Sequence, residues 1–171
     1  MNDKKVLHII TAISMAGWSL LFRKKGDTKD WFLIYFIKSL ISTLIDIPVV
    51  KRKYVRYPIR YFPKVFQSNI VFLYIIFPLL CVSYNQFTYK MKPLKTLFSV
   101  LLFSIPMTLI EGVLEKKTRL VKYNKGWNAL FTFLTLTGTF WIVRLCIGVI
   151  RLLDQKLNSN SATPGEKEQG A

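Results

Sequence analysis

Residues 31–50 read WFLIYFIKSLISTLIDIPVV, and this stretch decides the fold class of the chain. It is too apolar for a helix of a soluble protein, which would carry a polar face of similar width. It also lacks the alternating pattern of a membrane β-strand. A helix of roughly 20 apolar residues extends about 30 Å, the thickness of the hydrocarbon core of a bilayer. The stretch therefore predicts a membrane-spanning helix.

Further apolar stretches, each flanked by Lys and Arg, occupy residues 6–22, 69–89, 94–114 and 127–150. The first is the shortest, and it is open whether it crosses the bilayer or lies in the interface. We predict an all-α integral membrane bundle of five transmembrane helices within residues 1–156, with four as the fallback. The polar residues 157–171 predict a disordered tail.

The net charge of +16 would suggest nucleic acid if the chain were soluble. Most of its Lys and Arg, however, lie between or outside the apolar stretches. Short basic loops of this kind orient membrane helices and attract anionic lipid headgroups. The expected partners are the bilayer itself, anionic headgroups, and a membrane protein or a second copy of the chain. No nucleic-acid partner is expected.

The distribution of charge also predicts an orientation. If all five stretches cross, the N-terminus and residues 51–68 and 115–126 share one side, which carries slightly more Lys and Arg than the other. The positive-inside rule then places the N-terminus in the cytoplasm and the C-terminus outside the cell membrane. If residues 6–22 do not cross, the difference nearly vanishes.

Ionisable side chains within apolar stretches are costly to insert and are the first candidates for function. They are Lys38, Asp46, Glu111 and Arg144. The two acids are expected near one membrane face and the two bases nearer the other, which argues against a simple ion pair between Arg144 and either acid. Helical spacing also predicts polar stripes. One stripe joins Ser104, Thr108 and Glu111, and another joins Lys38 and Asp46 through Ser42.

These stripes have two interpretations that the sequence leaves open. The polar side chains hold the bundle together by hydrogen bonds between helices, or they line a polar path or binding pocket. The chain has no catalytic motif, no metal-binding motif and no cofactor-binding glycine loop. We therefore expect no enzyme activity, no catalytic residue, no metal and no cofactor.

A turn before the last apolar stretch contains Tyr123, Gly126 and Trp127, of which the two aromatic residues are predicted interfacial anchors, as is Trp31. Glycine supplies the positive φ that such a turn requires.

The segments Ile110–Gly112 and Val121–Asn128 resemble a family of small multipass membrane proteins of unknown function from spore-forming Gram-positive bacteria. In that family a Glu near the end of one helix precedes a Tyr-x-x-Gly-Trp-Asn turn into the last helix. Arg144 and the Gly26–Asp27 pair resemble the family pattern too. Cys146 departs from it, since a histidine is expected there, and so do Lys38 and Asp46. The resemblance implies a bacterial integral membrane protein and no particular activity.

The leading functional hypothesis is a non-catalytic structural or accessory membrane component. The alternative is a small transporter or channel component that uses the intramembrane polar residues, above all Glu111 and Arg144.

Overall fold

The computed structural model describes residues 3–22, 27–124 and 126–161, and this part of the chain is mostly helical. Its elements, in chain order, are α1 (Asp3–Ala16), a 3-10 helix (Gly17–Phe22), α2 (Thr28–Lys51), β1 (Val55–Arg56), a π-helical turn (Phe72–Ile76), α3 (Phe77–Phe87), α4 (Pro93–Ser99), α5 (Leu101–Lys117), β2 (Lys122–Tyr123) and α6 (Ala129–Ser161).

The predicted helical class is confirmed, and three segments are long and apolar enough to cross a membrane. They are Thr28–Lys51, Pro93–Lys117, in which α4 and α5 follow each other directly, and Ala129–Ser159. The other two predicted spans form shorter segments. Residues 6–22 divide into α1 and the 3-10 helix, and the apolar helix Phe72–Phe87 falls below the length of the other three.

A proline accounts for the irregular start of the third predicted span. Pro78 has no N–H to donate to the carbonyl of Tyr74, four residues back. The hydroxyl of Tyr35 on α2 donates to that carbonyl instead. Just before the proline, the N–H of Phe77 bonds the carbonyl of Phe72, five residues back, which is the π-helical pattern. A neighbouring helix therefore satisfies the backbone group that proline leaves free.

Helix α2 has its apolar face outward and its polar face inward, the reverse of a helix in a soluble protein. Its outward face carries Phe36, Leu40 and Leu44, which are 64%, 61% and 60% exposed. Its inward face carries Lys38 and Ser42, which are buried. An apolar exterior around a polar interior suits a helix whose surroundings are lipid.

A two-stranded antiparallel sheet joins the two long basic loops. Val55 pairs with Tyr123, and Arg56 pairs with Lys122. The N–H of Asn124 adds a bond to the carbonyl of Tyr54 at 2.9 Å. The expectation that residues 51–68 and 115–126 lie at the same end of the bundle agrees with this pairing.

The opposite end is closed by contacts between α2, α3 and α6. The guanidinium of Arg151 pairs with the carboxylate of Asp30 at 2.6 Å, and it lies 5.2 Å from the ring centre of Tyr89. Helix α6 continues to Ser161, so residues 157–161, predicted as the start of a disordered tail, are helical. The rest of the predicted tail lies outside the described residues.

Candidate functional site

A cavity of about 80 Å³ lies inside the bundle between α2, α5 and α6, below the two-stranded sheet. We call it the central cavity. Three of the four predicted intramembrane charges, Lys38, Asp46 and Glu111, line it. Its polar lining also includes four hydroxyl-bearing residues of the helices and one of the loop: Ser42, Thr132, Thr135, Thr139 and Tyr57. The volume is sufficient for water or a small ion.

Glu111 is held on one side by a directed chain of hydrogen bonds. The Tyr123 hydroxyl donates to Glu111 Oε1 at 3.0 Å and lies 3.1 Å from Thr132 Oγ1. Because the indole N–H of Trp127 donates to Thr132 Oγ1 at 3.0 Å, the Thr132 hydroxyl is free to donate to Tyr123. The chain therefore orients Glu111 from the loop above the cavity.

Asp46 receives two hydroxyl donors from the loop that follows α2. Tyr57 donates to Oδ1 at 3.1 Å, and Ser68 donates to Oδ2. Both carboxylate oxygens are thus held in place, and the charge of Asp46 faces the same cavity as that of Glu111.

Lys38 is held away from the two acids. Its ammonium group donates to Thr139 Oγ1 at 2.6 Å, and the Thr139 hydroxyl in turn donates to the carbonyl of Leu136 at 2.9 Å. The ammonium nitrogen also lies 5.2 Å from the ring centre of Phe140 and 5.8 Å from that of Phe77, within cation–π range. Among the described residues it makes no ion pair within 4 Å.

Two buried oxygens of the cavity lining have no hydrogen-bond partner in the described part of the chain. They are Oε2 of Glu111, whose residue is 6% exposed, and Oγ of Ser42, whose residue is 7% exposed. A buried carboxylate oxygen without a donor is costly. These two atoms are the unpartnered polar atoms of the central cavity.

Tyr57 and Tyr123 are hydrogen-bond donors to the two acids. Burial, and after it the nearby carboxylates of Asp46 and Glu111, raise the pKa of Tyr57 well above its usual value. Burial and the Glu111 carboxylate likewise raise the pKa of Tyr123. Both phenols therefore keep their protons at neutral pH and continue to donate.

The remaining predicted polar residues do not reach this cavity. Ser104 is buried and bonds the carbonyl of Val100 on its own helix at 3.1 Å. The hydroxyl of Thr108 is buried without a partner among the described residues. Arg144 donates to Asn85 Oδ1 and to the carbonyl of Thr88, each at 3.1 Å, and so ties α6 to the end of α3.

The aromatic anchors lie differently from the sequence-based expectation. Trp31 is fully buried and packs edge-on against Tyr89 at 5.8 Å, so it does not face the interface. Tyr123 points to Glu111, and Trp127 stacks on Tyr54 at 6.4 Å while it bonds Thr132. Gly126 has a φ of 98°, as expected for the turn.

Two parts of the site were not among the predicted site residues. Thr132, Thr135 and Thr139 on α6 are spaced by three and four, a helical face that the sequence displays. Tyr57 lies in an irregular loop, where no periodic pattern reveals its partner.

No group of three His, Cys, Asp or Glu suitable for a metal ion occurs among the described residues. None of the protein-family models, curated proteins or solved structures compared with this chain matches it. The resemblance through the Tyr-x-x-Gly-Trp-Asn turn therefore stays a prediction.

Proposed function

We propose that this protein is a small multipass membrane protein that binds a monovalent inorganic cation in its central cavity, as a transporter or channel component. The observation that carries the proposal is the unpartnered Oε2 of Glu111 in a cavity lined by two carboxylates and one ammonium group. With all three groups ionised, the lining has a formal charge of −1. A buried net charge is unfavourable until a proton or a counter-ion compensates it, so the proposed cation competes with protons for the carboxylates.

The coordination chemistry supports a small, oxygen-preferring ion. Oε2 of Glu111 and Oγ of Ser42 supply vacant oxygens, while the hydrogen bonds from Tyr57 and Tyr123 hold the acids in place. The bond from Lys38 to Thr139 keeps the internal ammonium group from filling the vacant position itself.

The membrane topology belongs to the same proposal. We infer five crossings of the cell membrane, with the N-terminus cytoplasmic and the C-terminus outside, and with four crossings as the fallback. For the first crossing, His8 bonds Tyr61 at 2.6 Å at the sheet end, while Phe22 packs on Phe32 with their ring centres 5.9 Å apart near the start of α2. The helical residues between these contacts extend roughly 25 Å.

The test is cation binding by purified protein in detergent micelles, with Na⁺ titrated calorimetrically in choline chloride buffer. Wild-type protein is expected to bind Na⁺, and Glu111→Gln is expected to lose the binding because its side chain carries no charge. Glu115→Gln is the matched control: Glu115 lies one turn further along α5, is not part of the cavity lining and pairs with Lys122 at 3.9 Å.

Two results would contradict the proposal. One is a wild-type protein that binds neither Na⁺ nor K⁺ while it remains folded. The other is equal binding by Glu111→Gln and Glu115→Gln. Flux through proteoliposomes that depends on Glu111 would separate transport from static binding.

The second candidate function is a non-catalytic structural or accessory component. It is favoured by the number of polar side chains that tie helices together, notably Arg144 to Asn85 and Arg151 to Asp30. Absence of cation binding, together with loss of stability in Arg144→Leu, would favour this function.

A further inference from the structure

A second depression lies at the sheet end of the bundle, outside the central cavity. We call it the basic pocket and define it by Lys51, Lys53, Arg56 and Arg60, which line a volume of about 570 Å³. No carboxylate occurs among the described residues that line it. Four cationic residues around one concave surface are a favourable setting for a multivalent anion.

The backbone after α2 is built to bring these side chains together. The N–H groups of Arg52, Lys53 and Tyr54 bond carbonyls of the last helical turn at 2.9–3.0 Å. Lys53 adopts a φ of 61°, in the left-handed region that non-glycine residues seldom occupy. The chain thereby reverses into β1, where Arg56 lies beside the pocket.

Arg60 has a structural role in the wall of the pocket. Its guanidinium donates to the carbonyls of Phe66 at 2.7 Å, Tyr57 at 2.6 Å and Pro63 at 3.2 Å. These bonds fix the loop opposite β1. Lys51, Lys53 and Arg56 have exposed side chains, and none of them pairs with a carboxylate within the described residues.

An apolar groove continues from the basic pocket along α2. It has a volume of about 460 Å³ and shares Val50, Lys51 and Gln67 with the pocket. Its apolar lining includes Ile47, Val50, Val65, Phe66 and Ile70, and its polar lining includes Asp46 and Ser68. Val65 is 74% exposed, which is unfavourable in water but suitable for contact with an acyl chain.

We propose that the basic pocket and the adjoining groove form a binding site for one anionic phospholipid. The phosphate of the headgroup lies among Lys51, Lys53 and Arg56, and an acyl chain follows the groove. A free phosphate would account for the basic pocket but leave the groove without a ligand. The location at the end of an apolar helix matches the depth of headgroups in a bilayer.

The test compares binding of phosphatidylglycerol and phosphatidylcholine to the full chain in mixed micelles, measured by native mass spectrometry. The pocket variant carries Lys51→Gln, Lys53→Gln and Arg56→Gln. The matched control carries Lys90→Gln, Lys92→Gln and Lys95→Gln, which removes the same charge from the loop between α3 and α4 and from the first turn of α4.

Wild-type and control proteins are expected to prefer phosphatidylglycerol. The pocket variant is expected to lose that preference by a factor on the order of 100, since each of the three basic residues near an anionic surface contributes roughly fivefold. Equal loss in the two triple variants would overturn the proposal, because diffuse charge would then explain the preference. Absence of a preference in wild-type protein would overturn it as well.

Two further arms separate the lipid from other sources of phosphate. Phe66→Ser is expected to weaken phosphatidylglycerol binding, because it removes an apolar contact of the groove. Glycerol phosphate has no acyl chain, so its binding to the basic pocket is expected to be the same in this variant and in wild-type protein. Competition by inorganic phosphate at the same concentration as the lipid would overturn the assignment to a phospholipid. If the triple variant does not fold, as judged by circular dichroism, the single variant Arg56→Gln provides the same comparison.

Discussion

At the scale of single residues, the position of Glu111 is the most consequential feature. One of its oxygens accepts a hydrogen bond from Tyr123, and the other faces the central cavity without a partner among the described residues. The sequence placed Glu111 on a stripe with Ser104 and Thr108. Of these three residues only Glu111 lines the central cavity, and its hydrogen-bond donor Tyr123 lies on β2.

The hydrogen bond from Tyr123 predicts a change in cation affinity. Tyr123→Phe removes the donor to Glu111 Oε1, so the carboxylate is free to rotate and to move Oε2 from its position in the central cavity. We expect Na⁺ binding to weaken by roughly fivefold to tenfold, in line with about 1 kcal/mol for one hydrogen bond. Calorimetric titration measures this, with Tyr61→Phe as the control outside the cavity. Unchanged affinity in Tyr123→Phe would show that the bond does not position Glu111.

The hydrogen bond from Tyr35 to the carbonyl of Tyr74 is expected to stabilise the fold. Tyr35→Phe removes the hydroxyl that satisfies this carbonyl, which Pro78 leaves free. We expect the free energy of unfolding to fall by about 1 kcal/mol. Reversible unfolding in mixed detergent measures the change, and Phe36→Leu on the outward face of α2 serves as the control. Equal stability of Tyr35→Phe and wild-type protein would show that another donor replaces the hydroxyl.

At the scale of elements, apolar length predicted the helices well where the helix is continuous. Residues 31–50 fall within α2, and residues 127–150 fall almost wholly within α6. The prediction was less complete for residues 69–89, because Pro78 shortens the regular helix and introduces a π-helical turn. The two short strands were not predicted, since two-residue pairings have no periodic pattern in sequence.

Whether the first helical segment crosses the membrane decides on which side the C-terminus lies. If α1 and the 3-10 helix cross the membrane, the chain has an odd number of crossings and its ends lie on opposite sides. A reporter fused after Ala171 is expected outside the cytoplasm. In a chain that lacks residues 3–22, the same reporter is expected to become cytoplasmic only if the remaining helices insert in the opposite orientation. A cytoplasmic reporter on the full chain would reject five crossings with a cytoplasmic N-terminus.

At the scale of the whole molecule, polar groups lie inside and apolar side chains lie outside. The sequence indicated this arrangement through its apolar stretches and their charged interruptions. It did not reveal that Lys38, Asp46 and Glu111 share one cavity, because that depends on how α2 and α5 face each other. Nor did it reveal that Arg144 belongs to a separate contact with α3.

This arrangement predicts integral membrane behaviour. The protein is expected to stay in the pellet when membranes are washed with carbonate or with high salt, because its apolar exterior requires lipid. Immunoblotting of the pellet and the wash measures this. Release by either wash would contradict the membrane bundle.

The most direct test of the account is the sidedness of the two basic loops, since the proposed bundle places both of them on the cytoplasmic side and residue 90 on the other side. Single cysteines at Arg56, Lys122 and Lys90, in a chain without Cys81 and Cys146, are labelled in intact cells with an impermeant maleimide. The account predicts labelling of Lys90→Cys alone in intact cells, and of all three after permeabilisation. Labelling of Arg56→Cys or Lys122→Cys in intact cells, with Lys90→Cys protected, would show that the orientation is the opposite of the proposed one. Labelling of both Arg56→Cys and Lys90→Cys in intact cells would contradict the bundle.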